Sequence, residues 1–259
     1  MTLNPQAKYL KDYQTPDFFI PETELTIELH DNQTSVMSCL QLIKNGTHSR
    51  HLKLDSQVKE VSKVSIDGVP INNWTLEQDC LEIPVDLERF TLEIEAMVDP
   101  ENNKALEGLY KSAGVFCTQC EAEGFRKITP FLDRPDVLSK YKVNVLAEKS
   151  IYPHILANGN LVDSYDKDIN GVTFRCNTWV DPHPKPSYLF ALVAGDFDLL
   201  TDSFTTTSGR KIALELYVDK GNLSLGHHAM ASLVKSMEWD EQTYGLEYDL
   251  DTYMVVAVD

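Results

Sequence analysis

The polar run CTQCEAEGFRKITPFLDRPD, residues 117–136, holds the densest set of reactive side-chain types in the chain. Cys117 and Cys120 form a CxxC, the spacing of half a zinc knuckle or of a thiol redox pair. No second CxxC and no histidine pair follows at zinc spacing, and the flanks lack the strand-to-helix step of a redox motif. The spacing therefore favours two packed thiols. In an extended segment Gln119, Glu121 and Glu123 project to one side, and Thr118, Cys120 and Ala122 to the other. One face then offers an amide and two carboxylates, which suits a protonated primary amine whose three N–H donors want three acceptors. The same carboxylates could instead pair with Arg126 or Lys127 across a hairpin, and pattern alone favours that pairing. His48-x-x-His51 and His227-His228 stand isolated and read as surface histidines.

The elements that must position this face are strands. From about Thr23 to Val218 apolar residues recur at every second position, as in Leu25, Ile27 and Leu29, which places them on one face of a half-buried strand. Phe90, Leu92, Ile94, Ala96 and Val98 repeat the pattern, as do Tyr141, Val143, Val145 and Ala147, and then Ile212, Leu214, Leu216 and Val218. Asp67-Gly68, Asn158-Gly159-Asn160, Asn170-Gly171 and Ser208-Gly209 are turn signals between them, so antiparallel hairpins are expected. With three prolines in six residues, the segment 181–186 cannot form a regular ladder and should be a stiff, extended crossing strand or loop. Residues 188–194 read as a fully apolar strand, after which a domain boundary divides 1–194 from 195–259. Met230, Leu233, Val234 and Met237 lie at i, i+3, i+4 and i+7, which predicts an amphipathic helix to about Tyr244, stopped by Gly245. Residues 253–258 form a strongly apolar strand with the chain end one residue beyond it, so a cut through a larger domain is expected there.

The composition narrows the function classes. There are 23 Lys plus Arg against 40 Asp plus Glu in 259 residues, a net charge of −17, and no basic run offers a footprint for phosphate backbones. Nucleic acid is excluded as a partner on that reading. No apolar run reaches signal-peptide or membrane-span length, and five scattered cysteines fit reduced thiols in a cytoplasm better than a disulfide framework. No internal repeat argues for a propeller or solenoid.

The run at 117–136 closely resembles the N-terminal domain of the bacterial aminopeptidase N family, the alanyl aminopeptidases of the zinc-dependent HEXXH class. DPHPKPSYLFALVAG (residues 181–195), DKGN (219–222), KSMEWDE (235–241) and EYDLDTYM (247–254) extend the resemblance over essentially the whole chain. It implies a mainly β fold: an antiparallel, saddle-like β-sandwich N-terminal domain, then the truncated start, strands plus one helix, of a thermolysin-like α/β catalytic domain. It also implies that Gln119 and Glu121 help bind the free α-amine of a substrate, while Glu123 receives no such role. The family's GAMEN motif and HEXXH helix do not occur by Asp259. No catalytic residue and no metal ligand is therefore expected within this chain, and no peptide hydrolysis by it alone. The implied parent is a cytoplasmic zinc aminopeptidase acting on peptides with a free N-terminus, without nucleic-acid or membrane partners, with the remainder of the same chain supplying the zinc ligands. A reading from another class is a non-enzymatic β-sandwich interaction module that presents Gln119, Glu121 and Glu123 to a partner.

Overall fold

The computed structural model of the protein describes residues 9–31 and 33–257. Its strands form four sheets among the described residues. The largest has eight strands in the order Asn160–Ile169, Val172–Pro186, Leu138–Glu148, Phe18–Glu28, Thr34–Lys44, Arg89–Val98, Glu60–Ile66 and Val69–Ile71. A four-stranded sheet runs His154–Ala157, Leu192–Gly195, Val115–Gln119 and Gly108–Ser112, and a three-stranded sheet joins Leu52–Asp55, Cys80–Ile83 and Thr75–Glu77. The fourth sheet, Asp198–Thr205, Lys211–Val218 and Thr252–Val256, carries the helix Gly226–Tyr244.

The period-2 residues are the core. Leu25 and Ile27, the set from Phe90 to Val98, the set from Tyr141 to Ala147, and the set from Ile212 to Val218 are all buried. Their alternation works because each strand has one face against apolar neighbours and the other toward water. The fold is mainly β, as expected, and its pairs are antiparallel with two exceptions. Phe18–Glu28 runs parallel to Leu138–Glu148, and Lys211–Val218 runs parallel to Thr252–Val256. The long excursions between those partners permit a parallel return, which a tight hairpin does not.

Asp67-Gly68, Asn170-Gly171 and Ser208-Gly209 close hairpins, whereas Asn158-Gly159-Asn160 does something else. It carries the chain out of the four-stranded sheet into the eight-stranded one. Gly159 has φ +92°, and a Cβ there would lie 2.2 Å from the Val180 carbonyl oxygen, so glycine is needed for the crossing rather than for a hairpin. The proline-rich segment is extended as expected, at the end of Val172–Pro186, with Lys185 Nζ held at 2.5 Å from Asp181 and 4.5 Å above the Tyr141 ring. The apolar strand read over 188–194 is corrected: Ser187–Leu189 is a 3-10 turn, and strand begins only at Leu192. Phe190 is drawn into an aromatic cluster, 5.2 Å from Phe125 and 6.1 Å from Tyr141, and that burial outweighs strand propensity.

The helix matches its expectation. Met230 and Met237 are buried against Ile212, Leu214 and Leu216, and Gly245 ends it at φ +66° with its N–H on the Glu241 carbonyl. The helix and the sheet face beneath it form one apolar cluster, while Tyr217, Met254 and Val256 of the same sheet pack on the main core. Helix and sheet dock on the rest through the Tyr217 ring, 5.3 Å from His154 and 6.2 Å from Phe197, and through two Asn160–Asp251 hydrogen bonds of 3.0 and 2.9 Å. Val258, at which the last apolar strand was read to end, and Asp259 lie outside the described residues. No helix among the described residues is long and apolar enough to cross a membrane.

Candidate functional site

The strand Val115–Gln119 lies between Gly108–Ser112 and Leu192–Gly195, with Phe116 and Cys117 buried on its two faces. Pairing holds as far as Gln119, which sits opposite Gly108. The strand stops there. Residues 121–124 form a turn with a cis peptide between Glu121 and Ala122, and the chain then enters the 3-10 turn Phe125–Lys127. The extended alternation through Glu123 is thus corrected, because the backbone folds back on itself with the Gly124 N–H on the Cys120 carbonyl at 2.9 Å. Gly124 makes that fold possible: a Cβ there would lie 2.4 Å from the Gln119 carbonyl oxygen and 3.0 Å from the Gly108 nitrogen.

Turning does not scatter the candidate residues. Gln119 and Glu121 are both exposed, and the Gln119 side-chain amide donates to the Glu121 carbonyl at 3.3 Å, which leaves the Gln119 Oε1 as an acceptor. The Glu121 carboxylate makes no hydrogen bond or ion pair among the described residues. Glu123 differs, with its Oε2 at 3.6 Å from Arg126 Nη1. Lys127 turns elsewhere and pairs with Glu107 at 2.6 Å. Pairing with Arg126 or Lys127 therefore accounts for Glu123 and leaves Glu121 available.

A polar knot that the sequence pattern does not disclose anchors the far side of the turn. Arg126 donates from its backbone N–H and its Nε to Asp133 Oδ2 at 3.1 and 3.0 Å, and from Nη2 to the Asp133 carbonyl at 3.0 Å. Its Nη1 also lies 3.6 Å from Asp55. The Asp133 side chain is 1% exposed and accepts Ser187 Oγ at 2.6 Å as well. Burial pushes the Asp55 carboxyl above its ordinary range, against the opposing pull of Arg126. Asp55 and Ser187 come to the Arg126–Asp133 pair from distant segments, so tertiary contact completes the knot.

The cysteines are structural. Cys117 and Cys120 are buried and free, with burial raising the Cys117 thiol to about 11 and raising Cys120 further still, with Asp133 adding to the rise. Such thiols are poor nucleophiles and poor metal ligands. His48 contacts the Asp17 carbonyl at 3.0 Å and His51 pairs with Glu82 at 2.7 Å. Among the described residues no group of three or more His, Cys, Asp or Glu is placed to hold a metal ion. A cavity of about 630 Å³ beside Arg50, His51, Lys53 and Arg134 offers cationic groups already paired, Arg50 with Asp17 and Lys53 with Glu82.

With the geometry in hand, comparison with known proteins adds three findings. Residues 20–189 match the Peptidase M1 N-terminal domain. The chain is 50% identical over 259 residues to aminopeptidase N of Escherichia coli and 46% identical to aminopeptidase N of Haemophilus influenzae, spanning 29% of the length of each. In structure it superposes on Legionella pneumophila aminopeptidase A in complex with aspartic acid, with TM-score 0.90 and 33% identity over 97% of this chain and 30% of that one. An M1 zinc metallopeptidase from Deinococcus radiodurans shares the fold at TM-score 0.77 and 17% identity, over 93% of this chain and 56% of that one.

Proposed function

The chain belongs to the Peptidase M1 N-terminal domain family, and from that premise we propose that it is the amine-recognising part of a zinc-dependent aminopeptidase that removes N-terminal residues from peptides. Gln119 and Glu121 receive the substrate's α-ammonium. The observation that carries this reading is the Glu121 carboxylate, exposed on a fixed turn and without a partner among the described residues, while neighbouring Glu123 is engaged by Arg126. A carboxylate oxygen and the Gln119 Oε1 supply two of the three acceptors that an ammonium group wants. Holding the amine there fixes the distance to the first peptide bond, which confines cleavage to the N-terminus. The net charge of −17 attracts a cationic substrate end toward the site.

Zinc would supply an activated water and polarise the scissile carbonyl. The described residues of this chain do not fit it, so no step is assigned to them through the metal. Its ligands belong to sequence outside this chain. Residues 195–259 are taken as the opening of the catalytic domain, a reading supported by the separate apolar cluster under the helix Gly226–Tyr244. The remaining parts of the reading are a cytoplasmic enzyme, peptide substrates with a free N-terminus, and the rest of the same polypeptide as its structural partner.

The test is Glu121→Gln in the chain extended to the length of its relatives, assayed on alanyl p-nitroanilide. Loss of one charge-assisted contact to the amine, about 1.5–3 kcal/mol, lowers kcat/KM roughly 10- to 100-fold, chiefly through KM. Unchanged kinetics in that variant would remove Glu121 from the substrate site.

A further inference from the structure

Among the described residues the Glu121 carboxylate makes no hydrogen bond or ion pair, so where it stands is set by the backbone of its turn. That backbone is held at two ends. At the first, Gln119 is paired in the sheet opposite Gly108, and Gly124 is wedged against the Gln119 carbonyl. At the second, two residues beyond Gly124, stands Arg126.

We propose that Arg126 is a positioning residue for amine recognition: clamped by Asp133 and Asp55, it fixes the turn that carries Glu121. The inference rests on the amine-binding role given to Glu121 above. Three donor groups of Arg126 are satisfied by the side chain and carbonyl of Asp133, and a fourth reaches toward both Asp55 and Glu123. The Arg126 carbonyl is used too, accepting the Gln57 N–H at 2.8 Å. Asp133 is itself immobile, since it is buried, accepts Ser187 Oγ, and donates its N–H to Asp55 Oδ2 at 3.3 Å. The planar guanidinium fork lets Nε, Nη2 and Nη1 meet Asp133, Asp55 and Glu123 at once, and an ammonium cannot reproduce that geometry. Through Glu123 the knot reaches back into the turn itself. Gln119 is set by the sheet, whereas Glu121 sits on a turn held between the sheet and the knot, so only Glu121 depends on Arg126.

The experiment uses the chain extended to the length of its relatives and compares wild type, Arg126→Lys, Glu121→Gln and the double variant on alanyl p-nitroanilide. The expected result is a KM raised about 5-fold or more by Arg126→Lys, with a double variant no worse than Glu121→Gln alone, because the two residues act through one contact. A purely structural role reduces the amount of active enzyme and hence the apparent kcat, and leaves KM where it was. An unchanged KM in Arg126→Lys, or effects of the two substitutions that add in full, overturns the proposal. If Glu121→Gln leaves KM unchanged, it is the amine role of Glu121 that falls. Should Arg126→Lys yield no soluble enzyme, Asp55→Asn removes only a half-exposed contact of the clamp. It must then raise KM in the same direction by a smaller factor, and no rise in KM overturns the proposal equally.

Discussion

Glu121 and Glu123 are two residues apart and both exposed, yet the fold gives them different fates. One is tied to Arg126 and the other is left facing solvent beside the Gln119 amide. Residue types alone suggested the amine-binding set but could not separate the two carboxylates, because the turn that separates them depends on Gly124 meeting Gly108 across the sheet. The knot of Asp55, Arg126, Asp133 and Ser187 was not legible either, since charge pairing between distant segments leaves no local period. The CxxC was legible as packing. With its thiol raised to about 11, Cys117 is roughly one part in a thousand thiolate at pH 8, and Cys120 less. Iodoacetamide at pH 8 is therefore expected to label half-buried Cys39 and Cys80 first, with Cys117 and Cys120 reacting only after unfolding. Peptide mapping by mass spectrometry checks this, and labelling of Cys117 as fast as Cys39 would contradict it.

At the scale of elements, strands with one wet face were readable and segments serving two layers were not. The alternation in Arg89–Val98 and Leu138–Glu148 survives in the structure because water and core lie on opposite sides. The strand read over 188–194 begins only at Leu192 because Phe190 leaves strand geometry to fill the Phe125–Tyr141 cluster, and the turn at 158–160 joins two sheets instead of closing a hairpin. The docking of the helix-bearing sheet on the main body carries a pH dependence of its own. His154, packed on Tyr217 and Phe197, accepts the Phe197 N–H at Nδ1 at 3.4 Å. Burial, reinforced by Lys220, lowers its basicity, and Asp196, Glu215 and the Gly195 backbone oppose the shift only in part. The unfolded chain then takes up the proton more readily than the folded one, so stability is complete above the ordinary value of 6.5 and is lost as pH falls below it. Measured by thermal unfolding between pH 7.5 and 5, His154→Phe is expected to lose less stability on acidification than wild type. Identical profiles for the two proteins would rule out His154 as the source.

At the scale of the whole molecule, one family domain spans residues 20–189, and a second apolar cluster lies beneath the helix beyond it. The chain covers 29% of the length of its aminopeptidase N relatives, so the chemistry proposed for it is shared with sequence outside it. Within that division, this chain holds Gln119 and the turn bearing Glu121, proposed above to bind the amine, between a sheet on one side and an ionic knot on the other. Its main-core strands and its resemblance at 117–136 were both visible before any coordinates, because each rests on local pattern. The ionic knot that braces the turn was not, since Asp55 and Ser187 come to it from distant segments. The most direct measurement is a crystal structure of the chain extended to the length of its relatives, with L-alanine amide bound. The expected result is an α-amine nitrogen at about 2.7–3.2 Å from a Glu121 carboxylate oxygen and from Gln119 Oε1. An amine held by other groups, with both of those oxygens beyond roughly 4 Å, would contradict the assignment.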